Sequence, residues 1–144
     1  MSQTNNSGHP KGLYVLFATE MWERFNYYGM RAILIYFMTD ALLFSKPFAS
    51  QLYGGYTSLV FLTPLIGGFI ADRYWGNRNS IIVGGLIMAL AELILFFCSS
   101  MYKSSPEISG ILFYVGLGAM IVGNGFFKPN ISSMVGQLYA PGDK

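Results

Sequence analysis

Long apolar segments follow one another along almost the whole chain. Of its 144 residues, 53% are hydrophobic and 11% are charged, whereas a soluble domain usually carries about 25% charged residues. Within a bilayer such segments must be helical, because a helix satisfies its backbone hydrogen bonds internally. The sequence therefore predicts an all-α membrane protein that crosses the bilayer several times.

Polar breaks divide the apolar part into four predicted transmembrane helices. Three of the breaks contain Pro47, Pro106 and Pro141, and proline commonly marks a helix boundary. We expect helices over about residues 13–43, 48–71, 79–101 and 107–139, behind a polar cytoplasmic tail over residues 1–12. The first and fourth helices are longer than a perpendicular crossing requires, which predicts tilt.

The basic residues outside these helices favour a cytoplasmic N-terminus. One side of the membrane would hold Lys11, Arg73, Arg78 and Lys144, and the other Lys46 and Lys103. Cytoplasmic loops carry the excess of Lys and Arg in membrane proteins. The tail also lacks the basic start and apolar core of a cleaved signal peptide. We therefore expect a multi-pass protein of the cell (inner) membrane with both ends in the cytoplasm.

The composition argues against several other classes of function. A net charge of +2 is too small to indicate nucleic-acid binding. Cys98 is the single cysteine and His9 the single histidine, so the chain lacks the ligand clusters that metal sites use. It also contains no His-Glu-x-x-His motif and no Ser/His/Asp set. We expect neither an enzyme nor a bound metal or cofactor.

Four ionisable residues, Glu20, Glu23, Arg24 and Arg31, lie within the first predicted helix. Each charge at a bilayer centre costs about 2.5–3.5 kcal/mol, so four unpaired charges facing lipid would cost about 10 kcal/mol. At 100° per residue, all of them except Glu23 share with Tyr27 a stripe roughly 60° wide. This pattern predicts a helix that lines a protein interior or a water-filled cavity.

A fifth buried charge, Lys128, lies deep within the fourth predicted helix, directly before Pro129. Proline leaves a backbone carbonyl one turn earlier without its donor and favours a kink. A cation beside such a distortion is suited to binding an anionic group. Two alternatives are that Lys128 extends to the membrane interface or pairs with Glu20 or Glu23 when no ligand is bound.

The loop after the second helix combines glycines with charges at Gly68, Asp72, Arg73, Gly76 and Arg78. Such a segment could be simply a well-charged cytoplasmic loop. In its order of residues, however, it resembles the loop between the second and third helices of the major facilitator superfamily. There the acidic and basic residues hold the cytoplasmic side closed, and the resemblance implies the same gate role for these five residues.

Three motifs together resemble a narrower group, the proton-dependent oligopeptide transporter (POT/PTR) family. Residues 20–29 read EMWERFNYYG, residues 68–73 read GFIADR and residues 126–130 read FFKPN. They match segments on the first, second and fourth helices of that family, in the same order. The resemblance implies proton-coupled symport of di- and tripeptides by alternating access.

The resemblance also implies roles for the charged residues. Glu20 and Glu23 would be the proton-coupling acids with Arg24 as their partner, while Lys128 would pair with them and attract the carboxylate of the peptide. Arg24 and Arg31 would contribute to that carboxylate site. We expect protonation of either glutamate to release Arg24 and Lys128 for substrate, which would link proton and substrate binding. A static Glu20–Arg24 pair that only aids insertion is the alternative.

Aromatic residues would line the same substrate site. The resemblance assigns this role to Tyr27, Tyr28 and Phe61. Phe61 occupies a position at which the family often has tyrosine, so the chain lacks that hydroxyl. Animal members also carry a histidine on the second helix, whereas His9 lies in the tail. Proton coupling would then depend on the carboxylates.

Four helices amount to only the first part of a major facilitator N-terminal bundle, since such transporters contain two six-helix bundles. We expect the chain to act with the remaining helices of the same transporter, in a lipid bilayer, on small peptides. Two alternatives are a proton-coupled anion (nitrate-like) transporter of the same superfamily and a small four-helix channel. Glu92, in the middle of the third helix, has no role in this interpretation.

Overall fold

The computed structural model describes residues 9–138, and all regular structure in that range is helical. The helices are α1 (Lys11–Tyr36), α2 (Lys46–Ile70), α3 (Gly76–Met101) and α4 (Pro106–Gln137). Short π-helical segments, Phe37–Ala41 and Ala71–Trp75, follow α1 and α2. Residues 1–8 of the predicted tail and the predicted C-terminal end, 139–144, lie outside the described residues. The all-α prediction is confirmed for the described part.

Proline and glycine explain the helix boundaries. Pro47 lies in the first turn of α2 and Pro106 begins α4, where a missing backbone N–H has no cost. Helical structure runs on without a break from Lys46 to Met101, and Gly76 changes its direction with φ 74° and ψ 157°. Only glycine adopts this conformation readily. By continuity there are three helical segments, so the count of four membrane spans stays a prediction.

Two described segments are long and apolar enough to cross a membrane. They are Lys46–Met101 and Pro106–Gln137, in which 18-residue stretches reach mean hydropathies of 2.6 and 1.7 respectively. The first helix, which carries the ionisable stripe, is not one of them. By length and apolarity these two segments, which contain α2, α3 and α4, are suited to a membrane crossing, whereas α1 carries several ionisable groups.

Helix α4 lies at the centre of the bundle, packed closely against α2 and α3. A Cβ atom at Gly67 would overlap the carbonyl of Gly125, and one at Gly84 would lie 2.7 Å from the carbonyl oxygen of Gly123. In lipid, small residues at helix interfaces allow backbones to approach in this way. Glycine thus fixes the distance between α4 and its two neighbours.

Helix α1 packs less extensively than the other three. Its buried residues are Glu23, Tyr27 and Leu34, whereas its other faces carry large exposed apolar side chains, among them Phe17, Trp22, Phe25, Ile33 and Tyr36. The buried side of α1 thus combines one carboxyl group with one tyrosine. This side meets α2 and α4.

Candidate functional site

The ionisable stripe of α1 divides into a buried part and an exposed part. Glu23 and Tyr27, one turn apart, are 7% and 4% exposed. Glu20 and Arg24 lie on the more exposed side, where the Arg24 Nε and Nη2 atoms donate to Glu20 Oε1 at 3.0 and 2.6 Å. The structure therefore separates the two predicted proton-coupling acids: one is buried, and the other holds Arg24 in an intrahelical pair.

Glu23 is bound by an amide from α4. The Asn124 Nδ2 atom donates to Glu23 Oε1 at 2.7 Å, and Asn124 is 1% exposed. The other amide atom of Asn124, Oδ1, is buried and accepts no hydrogen bond from a described residue. A neutral amide, rather than a cation, is the direct partner of the buried carboxyl group.

Lys128 lies one helical turn after Asn124 and contacts aromatic rings. Its Nζ atom is 5.1 Å from the ring centroid of Tyr27 and 6.0 Å from that of Phe61, within the range of cation–π attraction. The predicted ion pair of Lys128 with Glu20 or Glu23 does not occur among residues 9–138, where Arg24 holds Glu20. Lys128 is nevertheless near enough to act electrostatically on Glu23.

Arg31 is anchored by tyrosines of two helices. Its Nε atom donates to the Tyr53 hydroxyl at 2.7 Å, and its guanidinium carbon lies 5.4 Å from the Tyr53 ring centroid and 5.6 Å from that of Tyr27. A guanidinium group has five N–H donors, so most of them stay available. Arg31 and Lys128 thus flank the same tyrosine ring, Tyr27, and present two cations at one site.

The predicted aromatic lining residues Tyr28 and Phe61 lie on the open side of this site. They are 55% and 64% exposed, and the ring of Tyr28 packs edge-on against Tyr27 with centroids 5.4 Å apart. The described residues therefore form one wall of a site rather than an enclosed pocket.

The predicted gate residues cluster at the end of α2 and the start of α3. Gly68 lies against Pro129 of α4, since a Cβ atom there would be 3.5 Å from Pro129 Cβ. Asp72, Arg73 and Arg78 are exposed, and within the described range Asp72 forms no ion pair. Three of the gate residues, Asp72, Gly76 and Arg78, line a cavity of about 530 Å³, together with neighbours that include Trp75, Met134 and Gln137.

Sequence reasoning missed three polar residues that the structure brings to this region, and it gave Glu92 no role. The three are Tyr53, Tyr56 and Asn124. The Tyr56 hydroxyl and Glu92 Oε1 are buried without a hydrogen-bond partner in the part of the chain described. Only Asn124 had a clear signal in the sequence, because an amide four residues before Lys128 lies on the same face of an apolar helix.

Glu92 lines a cavity between α1 and α3, and Lys128 is not part of that lining. The cavity has a volume of about 380 Å³ and is otherwise mostly apolar, with Phe25, Met30, Ile33 and Phe96 in its lining. No group of three or more metal-ligating side chains occurs in residues 9–138. The candidate site is therefore the cluster around Glu23, Tyr27, Arg31 and Lys128.

Comparison with known proteins shows similarity to one family. Residues 78–144 match the model of the POT family. The chain is 42% identical over 141 residues to an uncharacterised transporter, YclF, of Bacillus subtilis (strain 168). It is 41% identical over 143 residues to a di-/tripeptide transporter of Lactococcus lactis subsp. lactis (strain IL1403). Each alignment covers 94% of this chain, which spans 27% of the length of either relative.

Solved structures agree with the sequence relatives. A crystal structure of a peptide transporter POT in complex with sulfate superposes with a TM-score of 0.84 at 38% identity, covering 99% of this chain and 28% of that one. A POT family transporter in complex with 5-aminolevulinic acid gives 0.84 at 36% identity, with 99% and 28% coverage. The chain has the sequence and fold of the N-terminal part of a POT-family protein.

The resemblance to the N-terminal part of POT-family proteins, predicted from three motifs, is thereby confirmed. The family and the matched structures are transporters rather than enzymes, and they are membrane proteins, in agreement with the apolar α2, α3 and α4. What the matched relatives carry, and how they couple transport, concerns the whole protein, of which this chain spans about a quarter.

Proposed function

We propose that the chain forms the N-terminal portion of a proton-coupled symporter for di- and tripeptides that works by alternating access. One observation carries the proposal. The buried carboxyl group of Glu23 lies near a partly buried cation, Lys128, which forms no ion pair with a described carboxylate. Both residues belong to the one wall of the site that the described residues form. The matched relatives include a di-/tripeptide transporter and a peptide transporter, which supports a peptide as the substrate.

Lys128 and Arg31 are the proposed binding groups for the peptide carboxylate. Both lie against the ring of Tyr27, and neither is engaged by an acid among the described residues. When such a cation leaves the aromatic ring and binds a carboxylate, it gains free energy, because an ion pair is a stronger interaction than a cation–π contact. Tyr27, Tyr28 and Phe61 line this wall. Arg24 joins it once Glu20 is protonated.

Protons are the proposed coupling ions, with no other cofactor. Protonation of Glu23 removes the negative charge that competes with a peptide carboxylate for Lys128. Protonation of Glu20 would likewise release Arg24 from its 2.6 Å pair. Since each step favours the binding of an anionic group, proton binding and substrate binding would be linked reciprocally.

We further propose that the protein lies in the cell (inner) membrane with its N-terminus in the cytoplasm. Four helices of this chain would cross that membrane. The cluster of Gly68, Asp72, Arg73, Gly76 and Arg78 then lies on the cytoplasmic side and acts as the gate. The remaining helices of the same transporter supply the other wall of the site.

Uptake by the full-length protein in proteoliposomes tests the proposal. With an inward proton gradient, we expect accumulation of a labelled dipeptide above its external concentration, inhibited by other dipeptides and not by nitrate. Lys128→Gln should weaken dipeptide binding, whereas substitution of the exposed Lys103, on the loop before α4, should not. Nitrate competition or nitrate uptake would contradict the peptide proposal, and a reading frame that ends after Lys144 would contradict the architecture.

A further inference from the structure

The hydrogen bond between Asn124 and Glu23 joins two buried side chains from different helices. Its length is 2.7 Å, and the residues are 1% and 7% exposed. A buried carboxyl group needs hydrogen-bond partners because the bilayer interior supplies no bulk water. Asn124 is the only described residue that forms a hydrogen bond with Glu23.

Glu23 requires different hydrogen-bond partners in its two protonation states. An ionised carboxylate only accepts hydrogen bonds, whereas a protonated carboxyl group also has one O–H to donate. Lysine and arginine side chains have no acceptor atom, so neither Lys128 nor Arg24 can serve the protonated form. An amide can serve both forms, since it carries two N–H donors and one carbonyl acceptor.

Asn124 has an unused hydrogen-bond acceptor, its side-chain carbonyl oxygen. Its Oδ1 atom is buried and accepts no hydrogen bond from any residue in 9–138. Rotation of the terminal amide by about 180° exchanges Nδ2 and Oδ1 at almost no change in shape, because this torsion is broad and roughly two-fold. The same position can thus offer Glu23 either an N–H donor or a C=O acceptor.

The other groups around Glu23 leave this role to Asn124. On its own helix they are Tyr27, whose buried hydroxyl has no hydrogen-bond partner in the described structure, and Glu20 and Arg24, which bind each other. Lys128 approaches from α4, and Tyr56 from α2. Glu92 is the titratable group that α3 contributes, near Tyr56. None of these is hydrogen-bonded to Glu23 in the described structure.

We propose that Asn124 is a positioning residue for Glu23, whose side-chain amide donates to the carboxylate and, after rotation, accepts from the protonated carboxyl group. The proton that reaches Glu23 forms the O–H bond, and no other covalent bond changes. The inference rests on the proposed proton coupling and adds the group that stabilises both states of the acid. Asn124 would then be required for coupling without touching the peptide.

Four variants of the full-length transporter in proteoliposomes test this role. Asn124→Leu and Asn124→Ala remove the amide, Asn124→Gln retains it, and Asn130→Leu is the matched control. Asn130 is equally buried on the same helix, but its Nδ2 donates to the carbonyl of Phe126 within α4 at 2.6 Å. Counterflow of labelled dipeptide, which needs no net proton movement, measures folding and substrate binding in each variant.

The amide-removing variants should lose coupling selectively. We expect proton-driven accumulation to fall at least about tenfold in Asn124→Leu and Asn124→Ala, the scale of one lost hydrogen bond to a charged group. Counterflow should persist, Asn124→Gln should recover part of the accumulation, and Asn130→Leu should accumulate normally. If the leucine variant fails in counterflow, the smaller alanine variant decides.

An infrared difference spectrum between low and high pH supplies a second readout. The carboxyl C=O band that disappears in Glu23→Gln belongs to Glu23, and it should move to higher wavenumber in Asn124→Leu because the acceptor for its O–H is lost. Unchanged accumulation and an unchanged band would overturn the role of Asn124 alone. Undiminished accumulation in Glu23→Gln would instead overturn the proposed coupling itself.

Discussion

Gly67→Ala is the substitution whose effect follows most directly from the backbone. The new Cβ atom would overlap the carbonyl oxygen of Gly125, and a backbone atom cannot rotate away as a flexible side chain can. Overpacking of a close interface costs about 1–3 kcal/mol, whereas alanine gains about 0.5–1 kcal/mol over glycine within a helix. The middle values of these two ranges leave a net loss of about 1 kcal/mol in the free energy of unfolding.

Gly54→Ala on the same helix is the matched control. No atom lies within 4 Å of a Cβ placed at Gly54, so only the helix-propensity gain of about 0.5–1 kcal/mol remains. We therefore expect the free energy of unfolding to fall in Gly67→Ala and to rise in Gly54→Ala. Denaturation of the full-length protein in detergent, followed by circular dichroism, measures both changes. Equal stability of Gly67→Ala and the unsubstituted protein would refute the close packing of α2 against α4.

Three further changes test other contacts. Lys128→Gln should raise the dissociation constant for a dipeptide about 10- to 100-fold, since an ionic hydrogen bond contributes about 1.5–3 kcal/mol. Calorimetric titration would measure this loss of affinity, and unchanged affinity would count against carboxylate binding by Lys128. Tyr53→Phe removes the acceptor that holds Arg31 and should weaken dipeptide binding more than Tyr56→Phe, whose hydroxyl has no described partner; the reverse order would contradict the anchoring of Arg31. Gly76→Val should lower the free energy of unfolding by about 1–3 kcal/mol, because φ is 74° at this position and a β-branched residue is strained there. The same detergent unfolding assay measures the change, and a neutral effect would exclude this turn conformation.

The sequence predicted the helical class and the family because both depend on local patterns. Apolar length identifies a membrane helix without knowledge of its neighbours, and three ordered motifs identified the POT family. The four-span count stays a prediction, since α2 and α3 are joined by helical turns up to Gly76. A single glycine conformation, invisible in hydropathy, separates them.

For the candidate site, the sequence predicted which residues share a face of α1 but not which neighbours each side chain contacts. Helical periodicity placed Glu20, Arg24 and Arg31 on one stripe, but it gives relative angles and not the direction of neighbouring helices. The structure turns Glu23 toward α4 instead and leaves Arg24 exposed. The Asn124 contact joins positions 101 residues apart in sequence, so no local pattern could have assigned it.

Dipeptide-driven proton movement is the most direct test of the central claim, that Glu23 couples protons to peptide transport. Proteoliposomes containing the full-length protein and a pH-sensitive dye inside would be exposed to an inward dipeptide gradient without a proton gradient. The account predicts acidification of the interior with the unsubstituted protein and none with Glu23→Gln, although counterflow persists in both. Equal acidification with Glu23→Gln would contradict it.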